Sequence, residues 1–279
     1  AEPTFPAAIA GEIAPITKPH DPAAVIGTRR DATAEEVEAA FTRAAAIQPG
    51  WDALGGEARA LLLEEAADLF EAHAAEFLSL CQREAGKTLL DSVLELREAV
   101  DFLRYYAAEA RRQFAAPTIL PGPTGEENTL SLHGRGVFVT IAPWNFPLAI
   151  FIGMAAAGTA AGNTVLAKPA PQTPLIAALA VTLCHQAGIP PEVLQLIPGG
   201  GEVGVGVGET RIEEGAGKID LLGRLACRLH RRERGLPELL GQPDRRRGLW
   251  LDVVPGRIPA SRTAAGPLMS VGPPEGGTA

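Results

Sequence analysis

Five segments between Gly136 and Ile197 constrain the fold of this chain more than any other feature. GVFVTIA (Gly136–Ala142), TVLA (Thr164–Ala167) and VLQLI (Val193–Ile197) are short, mainly apolar runs. Between them, Phe146–Ala161 and Pro174–Ala187 are long enough to be helices, and the second stops at Gly188. Short apolar runs bounded by Gly and Pro read as strands buried on both faces. Strand, helix, strand, helix, strand predicts an α/β fold built on a parallel sheet with right-handed crossovers. Ligands on such sheets bind at the carboxyl ends of the strands. Three motifs sit at those ends: Pro143–Trp144–Asn145, Lys168–Pro169 and the glycine run that opens Pro198–Gly199–Gly200–Gly201.

The front of the chain reads differently. Thr33 and Glu36 have the spacing of a capping box, and an Ala-rich helix is expected to run from there to about Ile47. After Gly55–Gly56, a single amphipathic helix is expected from Glu57 to Arg83, with Leu62, Ala66, Leu69, Phe70, Ala74 and Phe77 on one stripe. REAGKT (Arg83–Thr88) interrupts it, and a further helix is expected from Leu89 to Phe114, with Leu94, Val100, Leu103 and Ala107 in register. Pro117–Pro123 reads as a proline-rich connector. The expected division is a helical layer over 1–115, the sheet region over 116–212 and an atypical tail over 213–279.

Charge separates that tail from the rest. The net charge is −8, but residues 1–223 carry 15 basic and 28 acidic side chains, whereas residues 224–279 carry 10 basic and 5 acidic, all ten bases being Arg. The tail shows no sustained period and no core face, so an irregular C-terminal region is expected. Its Arg content is the sole pointer to nucleic acid, and no nucleic-acid partner is expected. The three cysteines, Cys81, Cys184 and Cys227, lack paired spacing, which argues against disulfides or a zinc site and fits a reducing, cytoplasmic setting. The five scattered histidines show no metal spacing. The first residues, AEPTFPAAIAGEIAP, lack the basic start and apolar run of a secretory leader. The apolar stretch from Phe146 to Ala167 is mostly Ala and Gly and is interrupted by Asn163, so no membrane span is expected.

At the sheet ends, residue chemistry admits two readings of each candidate. A strand-end Asn amide donates directed hydrogen bonds without charge and suits an oxyanion hole, but Asn is also a favoured helix N-cap. A strand-end Lys can donate to ribose hydroxyls or phosphates, or simply be solvated. The glycine run lets a cofactor approach the backbone closely, or is a loop. Cys81 and Cys184 lie in helices and read as small core residues rather than nucleophiles.

Taken together, PWNFPL, GNTVLAKPAPQTP and GIPPEVLQLIPGGG resemble the aldehyde dehydrogenase superfamily. QREAGKTLLDSVLELREAVDFLRYYAAEARRQF (Gln82–Phe114) and GVFVTIAPWNFPLAIF bring the resemblance closest to the dehydrogenase half of the bifunctional proline utilisation flavoenzymes. It covers about residues 10–212. It implies a Rossmann-like NAD-binding sheet and oxidation of an aldehyde, L-glutamate γ-semialdehyde, to glutamate, as a step of proline breakdown. In that chemistry a thiolate attacks the aldehyde, an oxyanion hole holds the alkoxide, hydride passes to NAD and water hydrolyses the thioester. Carried over by motif, Asn145 would be the oxyanion donor, and Pro143 and Trp144 would line the cofactor channel. Lys168 would bind the adenosine ribose, and Gly201 would admit the adenosine. The resemblance also implies an aldehyde substrate, a homo-oligomer, and a proline dehydrogenase flavoprotein domain in full-length relatives.

The departures are specific. Pro171 stands where relatives often carry a ribose-binding glutamate, and the glycine loop is one residue short. No FTGST, ETGG or GQRC motif follows, so the catalytic Cys and Glu are expected to be missing and the chain to be truncated and inactive as a dehydrogenase. The alternative expectation is a non-catalytic NAD-binding or oligomerisation fragment. Written in GC-rich codons and read one base later, Cys227–His230 becomes Ala–Gly–Ser–Thr, one residue from the family motif. The reading frame is therefore expected to slip between Arg211 and Cys227. Sequencing the coding DNA checks this: one insertion or deletion there should restore GQRC downstream, and its failure to do so refutes the slip. A shortened domain is also expected to leave apolar faces of the sheet uncovered.

Overall fold

The computed structural model describes residues 13–200. They begin with strands rather than helices. β1 (Ile13–Lys18) pairs antiparallel with β2 (Asp21–Arg30). Pattern reading misses this hairpin because Ile16 is its one buried side chain, so no apolar alternation marks it. α1 (Ala34–Ala53) follows the expected capping box: Thr33 Oγ1 accepts from Glu36 N–H at 3.4 Å, and Glu36 Oε2 accepts from Thr33 N–H at 2.8 Å. The helix continues through Pro49, past its expected end near Ile47. Tertiary contacts hold that last stretch: Trp51 is buried and its Nε1–H donates to Thr159 O at 3.0 Å.

The helix expected over 57–83 is two helices. α2 (Gly56–Ala72) and α3 (Ala74–Glu84) meet at His73, whose φ of −100° and ψ of 23° break the α conformation. The break lets α2 lie along α4 (Leu89–Phe114) while α3 turns onto β1 and α6 (Pro174–Gln186). Phe70 and Phe77, one on each side of the break, keep their rings 4.8 Å apart in the core. Of the four positions expected on the α4 stripe, Val100, Leu103 and Ala107 are buried, and Leu94 is exposed. The buried stripe runs instead through Ser92, Glu95, Leu96 and Ala99. Two polar side chains sit in it, which is why counting apolar residues misplaces the phase. The Pro117–Pro123 connector holds a strand: β3 (Thr118–Leu120) pairs antiparallel with β4 (Asn128–Leu130) in a small exposed ribbon.

The parallel sheet forms as expected. β5 (Val137–Ile141), β6 (Thr164–Lys168) and β7 (Leu194–Leu196) lie in the order β5–β6–β7, joined by α5 (Ala149–Ala160) and α6. β5 and β6 run in register from Val137↔Thr164 to Ile141↔Lys168, and Ala167 pairs with Leu196. Asn163, which interrupts the apolar run in the sequence, joins strand to helix. Its Oδ1 accepts from Arg135 and Gly136 N–H, and its Nδ2 donates to Gly158 O.

The period-2 alternation of the strands assigns each face to a partner. Phe138, Val165 and Leu194 face the large core made with α2, α4, α5 and α6. Val139 and Leu166 face a second core with Val37, Ala40, Phe41 and Ala44 of α1. Both faces of these three strands are therefore covered, contrary to the expectation of uncovered apolar surface. α1 supplies the layer that the sequence reading left without a candidate.

α5 is apolar on every side and largely buried, so its orphan end groups need partners from elsewhere. Leu148, in the N-cap position, has no capping side chain of its own. Glu95 Oε1 from α4 fills that role, accepting from Leu148 N–H at 2.8 Å and Ala149 N–H at 3.2 Å. At the other end Arg59 from α2 donates to Ala160 O at 3.0 Å, and also to Trp51 O and Asp52 O in the last turn of α1. A carboxylate at the N-terminus and a guanidinium at the C-terminus also match the helix dipole. α6 is treated the same way: Glu84 at the end of α3 accepts from Leu175 N–H at 2.7 Å and Ile176 N–H at 2.8 Å.

Glu84 is buried, and desolvation pushes its carboxyl up to about 8, against the two N–H donors that pull it down. Between the usual carboxylate range and about pH 8, the folded chain holds a proton that the unfolded chain has released. Its contribution to stability is therefore full at low pH and is lost as the pH rises through that window. Denaturant titrations from pH 5 to 9 should show this decline in the native chain and a flatter profile in Glu84→Gln. Equal slopes in both would contradict it.

Candidate functional site

The carboxyl end of the sheet carries the candidate residues. Ala142 N–H donates to Lys168 O at 3.0 Å and Ile197 N–H to Ala167 O at 2.9 Å, so the loops that begin at Ala142, Pro169 and Pro198 leave adjacent strands side by side. A fourth segment joins them: Ala32 N–H donates to Pro198 O at 2.8 Å, which brings the end of β2 and the entry to α1 to the same edge.

Lys168 closes β6 and is buried. By alternation it shares the face of Thr164 and Leu166, the face covered by α1. Among the described residues its ammonium makes one hydrogen bond, to the adjacent Pro169 O at 3.3 Å. Burial lowers its pKa; nearby Asp31 opposes that shift and nearby Arg29 reinforces it. Arg29 is engaged: Nε donates to Asp31 Oδ1 at 2.8 Å and Nη1 to Pro171 O at 2.6 Å. Position 171 therefore serves through its backbone carbonyl, and the loop after β6 is tied to β2. Lys168 is left as a buried cation with unused donors at the carboxyl edge of the sheet, an arrangement that suits hydroxyl or phosphate oxygens.

Asn145 lies four residues before α5 and is exposed, as are Trp144 and Phe146, while Pro143 is half-buried. The helix-cap reading of Asn145 fails, because Leu148 occupies the cap position and Glu95 satisfies the first turn. Among the described residues the Asn145 amide has no hydrogen-bond partner, so its donors remain available. The structure thus brings Pro143, Trp144 and Asn145 to the same edge as Lys168. Gly201 and Cys227 lie outside the described residues, as does the tail.

Neither described cysteine offers a nucleophile. Cys81 and Cys184 are both buried, and burial pushes each thiol up to about 12. Sequence reasoning missed Glu84, Lys87 and Glu95. The available signal was a carboxylate at Glu95 on the same helical face as Ser92, Leu96 and Ala99. A buried acid in such a stripe requires donors from a neighbour.

A parallel sheet with crossover helices and with a buried cation and an unengaged amide at its carboxyl edge is the arrangement of an α/β fold, in which that edge is where ligands bind. The profile of the Aldehyde dehydrogenase family matches residues 8–211, and the chain belongs to that family. The bifunctional protein PutA of Escherichia coli (strain K12) is 47% identical over 193 residues, 69% of this chain and 14% of PutA. The 1-pyrroline-5-carboxylate dehydrogenase 1 of Halalkalibacterium halodurans is 38% identical over 181 residues, covering 64% of this chain and 35% of that enzyme. Among solved structures, the 1-pyrroline-5-carboxylate dehydrogenase from Thermus with bound NAD aligns with a TM-score of 0.67 at 38% identity, over 71% of this chain and 38% of that one. The chain thus spans between about a seventh and two fifths of the length of these relatives. Among the described residues, no helix is long and apolar enough to cross a membrane.

Proposed function

We propose that this chain supplies the NAD-cradling and oxyanion-holding half of an aldehyde dehydrogenase acting on L-glutamate γ-semialdehyde in proline breakdown. The observation that carries the reading is the convergence of Lys168, the Pro143–Asn145 loop and the loop at Pro198 on one edge of the sheet. The edge fits a dinucleotide: the buried ammonium of Lys168 has donors to spare for ribose hydroxyls, and the glycines Gly199, Gly200 and Gly201 present no side chain to block close approach. NAD, when bound, supplies the hydride acceptor. Pro143 and Trp144 line its channel, and the Asn145 amide donates to the oxygen that gains negative charge, a contribution typically of about 3–4 kcal/mol to the transition state.

Residues 1–115 act as the supporting layer and 116–212 as the nucleotide-binding region. The sequence holds no G-Q-R-C motif to supply the nucleophile, so we expect little or no turnover of semialdehyde by this chain with NAD. Turnover abolished by Cys184→Ala or Cys227→Ala would show that the thiolate has been misplaced. Two relatives point to the partners: the name of PutA describes it as bifunctional, and the Thermus enzyme binds NAD. A proline-oxidising flavin domain, a homo-oligomeric state and a cytoplasmic setting follow as parts of the same proposal.

Calorimetric titration with NAD tests it directly. Saturable uptake by the folded chain is expected, and its complete absence would overturn the reading.

A further inference from the structure

REAGKT, at Arg83–Thr88, joins the end of α3 to the start of α4, and several of its residues have an assigned contact. Glu84 caps α6, and Thr88 caps α4 by accepting from Asp91 N–H at 3.1 Å. Gly86 adopts a φ of +68°, a region that favours glycine, and turns the chain back so that Lys87 N–H donates to Cys81 O at 3.2 Å. The Lys87 side chain then points inward, with 11% of its surface exposed, and pairs with Glu95 Oε2. Its ammonium also stands 4.2 Å from the centroid of the Phe146 ring.

These contacts flank the Asn145 loop on one side. Glu95 holds the loop's far end through Leu148 and Ala149, and Lys87, bound to the same carboxylate, holds its middle through Phe146. Asn145 is the residue next to Phe146, and among the described residues its amide has no partner of its own. Its aim is therefore set by the backbone on which it sits. An oxyanion donor must be held to about 0.5 Å before charge develops.

We propose that Lys87 is a positioning residue for Asn145, clamping the loop through Phe146 while Glu95 anchors it to α5. The proposal rests on reading Asn145 as the oxyanion donor. A long flexible cation would otherwise place its ammonium in water. Here it gives up that hydration for one carboxylate and one ring, the arrangement in which a cation–π contact is strongest.

Backbone and side-chain amide order parameters from ¹⁵N relaxation, measured on the full chain, test the clamp. In the native chain Trp144, Asn145 and Phe146 should be near the rigid value of about 0.85. Phe146→Leu removes the ring from a partly exposed site and leaves the Lys87–Glu95 pair in place. It should drop these residues below about 0.6 while Val165–Lys168 stays rigid. Lys87→Met should do the same, and Lys87→Arg, which keeps charge and ring contact, should restore the native values. Where Lys87→Met fails to fold because Glu95 loses its counterion, Phe146→Leu decides. A mobile loop in the native chain, an unchanged loop in Phe146→Leu, or no rescue by Arg would each overturn the proposal. Absence of NAD uptake by the native chain would instead remove the functional reading and leave the order parameters to report on the clamp alone.

Discussion

Replacing Arg59 with methionine should destabilise the chain by about 2–6 kcal/mol, since it strips the donor from two buried carbonyls at about 1–3 kcal/mol each. Arg59 is buried, and its guanidinium serves Ala160 O at the end of α5 and Trp51 O and Asp52 O at the end of α1. Asp52 O also accepts from Gly55 N–H, so the loss falls mainly on Trp51 and Ala160. Burial lowers the pKa of Arg59, and the negative charge of Asp52 counters this. Methionine matches the length and fills the volume but donates nothing. Urea unfolding at constant slope measures the effect. A change below about 1 kcal/mol would mean that water or backbone rearrangement satisfies those carbonyls, and that α5 does not depend on α2 for its C-terminal cap.

Lys168→Met should move binding and stability in opposite directions. A hydrogen bond from a charged donor is worth about 1.5–3 kcal/mol, which corresponds to about 10–150-fold in NAD affinity. The same substitution removes a buried ammonium whose one described hydrogen bond is 3.3 Å long, so the melting temperature should rise. Groups retained for ligand binding commonly destabilise the fold that carries them. Calorimetry and thermal melts on one preparation would read both. Weakened binding with a lower melting temperature would mark Lys168 as structural. Unchanged binding would remove it from the nucleotide site.

What could be read from the sequence follows the physics of burial. β6 is buried on both faces, so Val165–Ala167 appears as an apolar run and the strand–helix alternation around it was legible. Thr33 and Glu36 announce α1 because a capping box depends on local spacing. The two hairpins were not legible, because strands with almost no buried side chains leave no alternation to detect. The break at His73 escaped notice because Phe70 and Phe77 suit one long helix as well as two. At the sheet edge, the positions of Asn145 and Lys168 were legible because strand ends can be located from sequence. Glu84, Lys87 and Glu95 were not, because the backbone N–H groups that the two carboxyls cap lie 53 or more residues from Glu95 and 91 or more from Glu84, and the ring beside Lys87 is that of distant Phe146. Such contacts depend on how layers stack, which no local window contains.

The caps on α5 and α6 also bear on the order in which the molecule assembles. The first N–H groups of both helices and the Ala160 carbonyl of α5 are met by side chains translated earlier, at Glu95, Glu84 and Arg59. Synthesis releases the N-terminal helices from the ribosome first, so the crossover helices emerge beside a surface already carrying their capping groups. A polypeptide starting near residue 116 would meet no such surface. Supplying residues 1–115 as a separate chain should template its folding in trans.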